Sequence, residues 1–215
     1  MVTLYLKQAD EAISQISPDD RASKPLRAEW LSLQSTLVNV QGEAEQSAAV
    51  PVHVALPADA LAGESDTVVI TATSHNGLDL WDSATITTTA GPVYGVELTT
   101  EIPGLVGLPG AVVTYTVQLS NLGNLTDTFT LSYTLAEWQV SLPVTSTTLA
   151  AFASTEVLVH VSIPPMVPDG ATDMVTVWAT SQGDPTKSDS AVLTTTAEFY
   201  PLYLPLLERQ EGQGH

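Results

Sequence analysis

The sequence contains no cysteine. Disulfide staples, thiolate metal sites and cysteine nucleophiles are therefore excluded. Such a chain suits the cytosol, and it suits equally a bacterial secreted β-protein whose core stands without cross-links. Positive charge is nearly as scarce: 6 Lys and Arg face 24 Asp and Glu, a formal net charge of −18. Nucleic-acid binding needs basic side chains to replace phosphate counterions, and anionic lipid needs them to meet its headgroups, so neither partner is expected. Long apolar runs are missing too. None approaches the ~20 residues that cross a bilayer, so no transmembrane segment is expected. Met1–Leu6 is too short for the apolar region of a signal peptide, and any export signal is expected outside this chain. Lys7, Arg21, Lys24 and Arg27 all precede Trp30, which sets residues 1–29 apart from the remainder of the chain.

What the chain does have is a repeat. His160 to Ala197 slides back by 107 positions onto His53 to Ala90 without a gap. His53 meets His160, Pro57 meets Pro164, Gly63 meets Gly170 and Asp66 meets Asp173. Asp82-Ser83-Ala84 meets Asp189-Ser190-Ala191. A period of that length is one domain, not one turn of a solenoid.

Strand signals fill both copies. In the second, Val96 and Leu98 give a first, edge-like strand, and Val113, Tyr115, Val117 and Leu119 alternate with Thr114, Thr116 and Gln118. Phe129, Leu131 and Tyr133 follow, then Trp138, Val140 and Leu142, then Val157 to Ile163, Val175 to Ala179 and Ala191 to Thr195. About seven short alternating strands predict two sheets packed face to face. The first copy reads as the same module from Trp30 onward, with Ala28-Glu29-Trp30 matching Ala136-Glu137-Trp138 and its front third lost, replaced or diverged. Val2-Thr3-Leu4-Tyr5-Leu6 reads as a strand matching Val113 to Val117. Ala12, Ile13 and Ile16 allow a helical turn. The expected division is an undefined segment 1–29, a partial sandwich 30–90, a complete one 91–198 and a tail 199–215. That tail opens with Phe199-Tyr200-Pro201-Leu202-Tyr203-Leu204-Pro205-Leu206-Leu207, which is apolar but broken by two prolines.

Pro109-Gly110, Val-Thr-Tyr-Thr-Val, Asn121-Leu-Gly-Asn124, Trp138-Gln-Val and Ile163-Pro164 with Gly170 six residues on follow a familiar order. It resembles the bacterial immunoglobulin-like module associated with carbohydrate-binding domains in alpha-galactosidases, the NPCBM-associated family. The match spans roughly 108–197 and, in part, 30–90, where Pro57 to Gly63 is the closer version of the family loop. Ala150 to Ser154 departs from the family's Pro-Gly, and an altered turn or bulge is expected there. The resemblance implies an all-β fold of tandem immunoglobulin-like sandwiches, the first incomplete, on a bacterial extracellular or cell-surface protein. Tyr203-Leu204-Pro205-Leu206-Leu207 also resembles the short endings of certain bacterial surface proteins, which implies an export or anchoring address.

Catalytic signals are missing. No Gly-x-Ser-x-Gly elbow, His-Glu-x-x-His or glycine-rich phosphate loop occurs, so no enzyme activity, cofactor or metal is expected. His53 and His160 recur at one position in a strand, the mark of packing rather than of catalysis. Glu64 with Asp66, and Asp169 with Asp173, lie at equivalent turns. Hard oxygen ligands of this kind suit Ca²⁺, but the order of an EF-hand loop is absent and a solvated acidic loop is expected. Trp30, Trp138, Tyr115 and Phe129 are expected in the cores. Trp81 and Trp178 differ, because Ser188 and Thr71 replace them in the other copy. Trp81 is expected in a loop and Trp178 on an outward strand face. These two are the candidate contacts to a ligand or neighbouring surface, although packing between modules accounts for them as well.

The leading expectation is a non-catalytic spacer or accessory array whose partners are neighbouring domains of a larger protein. One alternative is a module binding polysaccharide or a protein through Trp81 or Trp178. The other is a C-terminal piece of a secreted glycosidase or protease.

Overall fold

The computed structural model describes residues 2–8, 31–33, 37–38, 49–74, 80–134 and 136–199. Contacts divide the chain into two compact units, Met1–Val93 and Tyr94–His215. Every regular element among the described residues is a strand. The helical turn expected near Ala12, and Trp30, lie outside those residues.

The second unit contains β7 (Val96–Thr99), β8 (Gly104–Gly107), β9 (Val112–Asn121), β10 (Asp127–Tyr133), β11 (Gln139–Ser141), β12 (Ser146–Leu149), β13 (Ser154–Ser162), β14 (Thr172–Ser181) and β15 (Ser188–Ala197). One sheet runs β12-β10-β14-β15-β8 and the other β11-β13-β9-β7. Period-2 patterning explains both, since one face of each strand is apolar and must be covered. Val113, Tyr115, Val117 and Leu119 of β9 are buried, as are Val157, Val159 and Val161 of β13. They share one core with Phe129, Leu131, Val175, Val177, Ala179 and Leu193 from the opposite sheet. The result is an immunoglobulin-like β-sandwich. Gly107 ends β8 where a Cβ would come within 2.8 Å of both Ile163 and Val113, so the sheets close there only around a glycine.

The turn expected to be altered at 150–154 carries Phe152 at φ 60, a left-handed backbone that is unfavourable for a residue with a Cβ. Ala153 N–H donates to the Ala150 carbonyl across it at 3.2 Å.

The first unit contains β1 (Val2–Gln8), β2 (Leu31–Leu33), β3 (Leu37–Val38), β4 (Val52–Val54), β5 (Ser65–Ser74) and β6 (Trp81–Thr89). One sheet runs β3-β1-β5-β6, and β2 pairs with β4. The repeat persists bond by bond. Asp66 pairs with Thr88 as Asp173 pairs with Thr195. Gly63 N–H donates to Ala90 at 2.9 Å as Gly170 N–H donates to Ala197 at 2.8 Å, and both glycines have positive φ.

Two expectations change. Val2–Gln8 does not take the place of Val113–Val117. Leu4 pairs with Ala72 as Leu131 pairs with Ala179, so β1 stands where β10 stands. Alternation marks a strand as half-buried but does not choose its neighbour. Residues 2–8 thus belong to the first unit's sheet, not to an undefined lead segment. Trp81 is the first residue of β6, opposite Thr73, not a loop residue.

Candidate functional site

The second unit provides the template for reading the first. In it β9 lies between β13 and β7, and its apolar face seals the sandwich. Among the described residues of the first unit no strand occupies the places of β7, β8 or β9. The residues those strands would cover are correspondingly open. Val54 and Leu56 are 44% and 47% exposed, whereas their equivalents Val161 and Ile163 are 1% and 2% exposed. Ile70, Ala72 and Ile86 are half-buried and Ala84 is exposed, whereas Val177, Ala179, Leu193 and Ala191 are buried. Burial of an aliphatic side chain is worth roughly 1.5–3 kcal/mol, so a face left this open retains much unrealised stabilisation.

Where β5 ends and β6 begins, Ala72, Ser74, Leu80, Trp81 and Asp82 line a shallow, widely open depression of about 250 Å³. The second unit shows what such a position can bind. Asp189, the equivalent of Asp82, accepts the backbone N–H of Leu98 in β7 at 2.8 Å. It thereby ties a strand of one sheet to the other. Asp82 instead accepts the N–H of its neighbour Ser83 at 2.8 Å.

The buried polar groups of the second unit serve its own backbone. Tyr115 Oη donates to the Thr194 carbonyl at 2.7 Å, lies 2.8 Å from Thr195 Oγ1 and accepts from Leu105 N–H at 3.3 Å. Asp173 accepts from the N–H groups of Trp138 and Glu137 at 2.9 and 3.3 Å. The acidic turn therefore contributes a buried strut rather than a solvated carboxylate, because the chain carries Trp138 over that turn. Asp169 accepts from Phe199 N–H at 2.9 Å and Glu64 from Leu61 N–H at 2.9 Å. Asp127 accepts from the Ser181 hydroxyl and from Gly183 N–H, closing the turn between β14 and β15. Asn121 Nδ2 donates to the carbonyls of Leu125, Leu149 and Ala150. His160 Nδ1 lies 2.9 Å from Thr114 Oγ1 on the outer face of its sheet.

Trp138, Tyr115 and Phe129 lie in the core of the second unit. Trp178 is 40% exposed on the outer face of β14, between buried Val177 and Ala179. Trp81 is 69% exposed. The two tryptophans thus belong to different units, and the cavity adjoins only Trp81. The gapless repeat already held that information, since it set Trp81 opposite Ser188, the first residue of β15.

No helix of the described residues is long and apolar enough to cross a membrane. No family model matches the chain and no curated protein matches it. Among solved structures it is similar to the ASH/PapD-like domain 7 of human CEP192, at 12% identity and a TM-score of 0.37, covering 50% of this chain and 87% of that domain. A protein of unknown function from Porphyromonas gingivalis W83 is similar at 16% identity and TM-score 0.34, covering 81% and 82%. Escherichia coli alpha-2-macroglobulin is similar at 13% identity and TM-score 0.35, over 77% of this chain and 12% of that one.

Proposed function

We propose that the chain is a non-catalytic, immunoglobulin-like spacer or accessory array of a bacterial extracellular or cell-surface protein, of the kind that accompanies carbohydrate-active enzymes. The observation that supports this most is where the buried polar side chains of the second unit go. Tyr115, Asn121, Asp127 and Asp173 each bond to backbone or to a neighbouring hydroxyl that holds the sandwich together. Groups committed in that way stiffen a module and are not left to act on a substrate. Compact β-packing of this type serves to hold a neighbouring domain at a distance. A polysaccharide array probed with the intact chain tests the reading: no retained binding is expected, and specific binding to any glycan overturns it.

A second reading rests on Trp81, which is 69% exposed and lines the depression at the start of β6. An exposed indole stacks on sugar rings or anchors a protein contact. Under this reading glycan binding is detected and is lost in Trp81→Ala but kept in Trp178→Ala.

A further inference from the structure

Carboxylates are spread unevenly over the second unit. The outer face of its four-stranded sheet carries Glu97 and Glu156, and the loops at either end of β14 carry Asp169 and Asp184. The outer face of the five-stranded sheet carries none among the described residues. Every second residue of β14 from Thr172 to Thr180, and of β15 from Ser190 to Thr196, points outward, and each is Thr, Ser, Met, Trp or Val. The outward positions of β10, β12 and β8 add only Ser, Thr, Gly and Val. Asp127, Asp173 and Asp189 lie on the same strands but point inward, where each accepts a backbone N–H. A sheet face that only meets water is normally broken up by charge.

That uncharged face has an apolar centre. β14 is the middle strand of the five. On it Trp178 stands between Ser132 and Ser190, whose short side chains do not cover its indole. Val192, opposite Thr176, is the diagonal neighbour of Trp178, and Met174, opposite Thr194, is diagonal to Val192 in turn. All three are exposed, and together they form one stripe. The first unit carries Thr71, Thr85 and Thr67 at these places. Its own outward apolar residues, Val69 and Trp81, stand elsewhere, across from Thr85 and Thr73. The second copy thus has three adjacent apolar residues where the first has three threonines. An aromatic and a methionine in surroundings depleted of charge are the composition of an interface centre. We infer that two copies of the chain associate through the outer faces of their five-stranded sheets, with Trp178 at the middle of the contact.

Charge and area both favour a second copy as the occupant. Two chains of net charge −18 repel each other, and 6 Lys and Arg cannot neutralise the carboxylates of a contact. Burying a carboxylate without a partner is costly. Among the described sides of the unit, this face alone lets two copies meet without bringing carboxylates together. Two sheets of the same twist stack face to face at about −30°. Strands about 4.8 Å apart and up to about 33 Å long give each face roughly 550 Å². A stacked pair therefore covers about 1,100 Å², just above the ~1,000 Å² that a specific interface needs. The contact is isologous, so it closes at a dimer, and its small area makes that dimer weak and reversible.

Sedimentation velocity of the full chain over a concentration series tests this. A reversible dimer should form with a Kd on the order of 10–100 μM. It should tighten severalfold as NaCl rises from about 0.01 to about 0.15 M, which shortens the Debye length from about 30 to about 8 Å and screens the repulsion between acidic copies. Trp178→Glu should weaken the dimer about thirtyfold or more. Replacing Met174, Val192 and Trp178 together by threonine, the first unit's residue at all three places, should abolish it, with circular dichroism showing an intact fold. Leu158→Glu, at an exposed position on the outer face of the other sheet, and Trp81→Glu should leave it unchanged. Growth beyond the dimer overturns the proposal, as does weakening by salt or an equal effect of Leu158→Glu or Trp81→Glu. A monomer that retains a neutral glycan, and releases it in Trp178→Glu, makes polysaccharide the occupant and overturns the spacer reading as well. A monomer that retains no glycan overturns this inference alone.

Discussion

The two units carry the same strand register and the same glycine turns, yet one buries its core throughout and the other, among its described residues, only at Val68, Ala60 and Ala90. From β5 to β6 and from β14 to β15 the pairing is residue-for-residue equivalent. The inward side chains are also nearly the same: Val68, Ile70, Ala72, Ala84 and Ile86 against Val175, Val177, Ala179, Ala191 and Leu193. Composition therefore does not account for the difference. What differs is the opposite sheet, where β9 and β7 stand in the second unit and no described strand stands in the first. A hairpin's register is set by its turns and its neighbour, but its energy comes from what lies across from it. The pair of units is thus an internal control for the contribution of a covering sheet.

The largest test of that comparison is a matched truncation. Leu193 is fully buried and Ile86 takes its place half-buried. Leu193→Ala should cost about 2–5 kcal/mol through lost transfer energy and a residual cavity. Ile86→Ala, on a face already open to water, should cost about 1 kcal/mol or less. Urea titration followed by the tryptophan fluorescence of each unit reads both. Equal costs would mean that the first unit's face is covered in solution.

A matched polar pair comes next. Asp189→Ala leaves the Leu98 N–H without its acceptor at the junction of the two sheets and should cost about 1–3 kcal/mol. Asp82→Ala removes only a local bond to Ser83 and should change stability by no more than about 0.5 kcal/mol. If Asp82→Ala proves as costly as Asp189→Ala, Asp82 already ties a strand across the sandwich and the open face is not open.

Much of this was legible in the sequence, and the limits have physical causes. Alternation located most strands of the second unit because each has one wet face, as Thr114 and Thr116 show beside Val113 and Tyr115, but it missed the short β8 (Gly104–Gly107) and β12 (Ser146–Leu149). It misplaced β1, since Val2-Thr3-Leu4 fits either side of a sandwich and only pairing with Ala72 decides. Asp173 read as part of an acidic turn because its bond to Trp138 N–H spans 35 residues, a separation that spacing does not reveal. Asp127 carried no motif at all, and Asn121 stood in a turn motif that did not announce its bonds to the Leu125, Leu149 and Ala150 carbonyls. The open face was half-readable: the repeat broke ahead of Trp30, but which side chains stand open needed the exposures of Val54 and Leu56 set against Val161 and Ile163.

Smaller effects sharpen the same contrast at the turns. Phe152 holds a positive φ with its ring 47% exposed, so little packing is lost on removing it. Phe152→Gly should stabilise the second unit by up to about 1 kcal/mol, seen as a raised Tm of that unit's transition alone. A fall in Tm would show that the ring contributes packing that outweighs the backbone strain.

The smallest effect lies in the turn between β14 and β15. Asp184 Oδ1 accepts from the Thr186 hydroxyl at 2.7 Å and from its N–H at 3.1 Å. These bonds hold the carboxyl below its ordinary value of 3.8, with Lys187 adding a weaker pull and burial opposing slightly. A carboxyl whose pKa is lowered by folding contributes stability that is present above the unfolded value and is lost as pH falls through the folded one. Gly77 and Asp79 occupy the places of Asp184 and Thr186 in the first copy, so the sequence there has no counterpart of this carboxyl–hydroxyl pair. Thr186→Val should raise the Asp184 pKa in a carboxyl NMR titration and flatten the acid limb of the second unit's stability. An unchanged titration would assign the lowering to the backbone N–H, and the turn would then hold its carboxylate without the threonine.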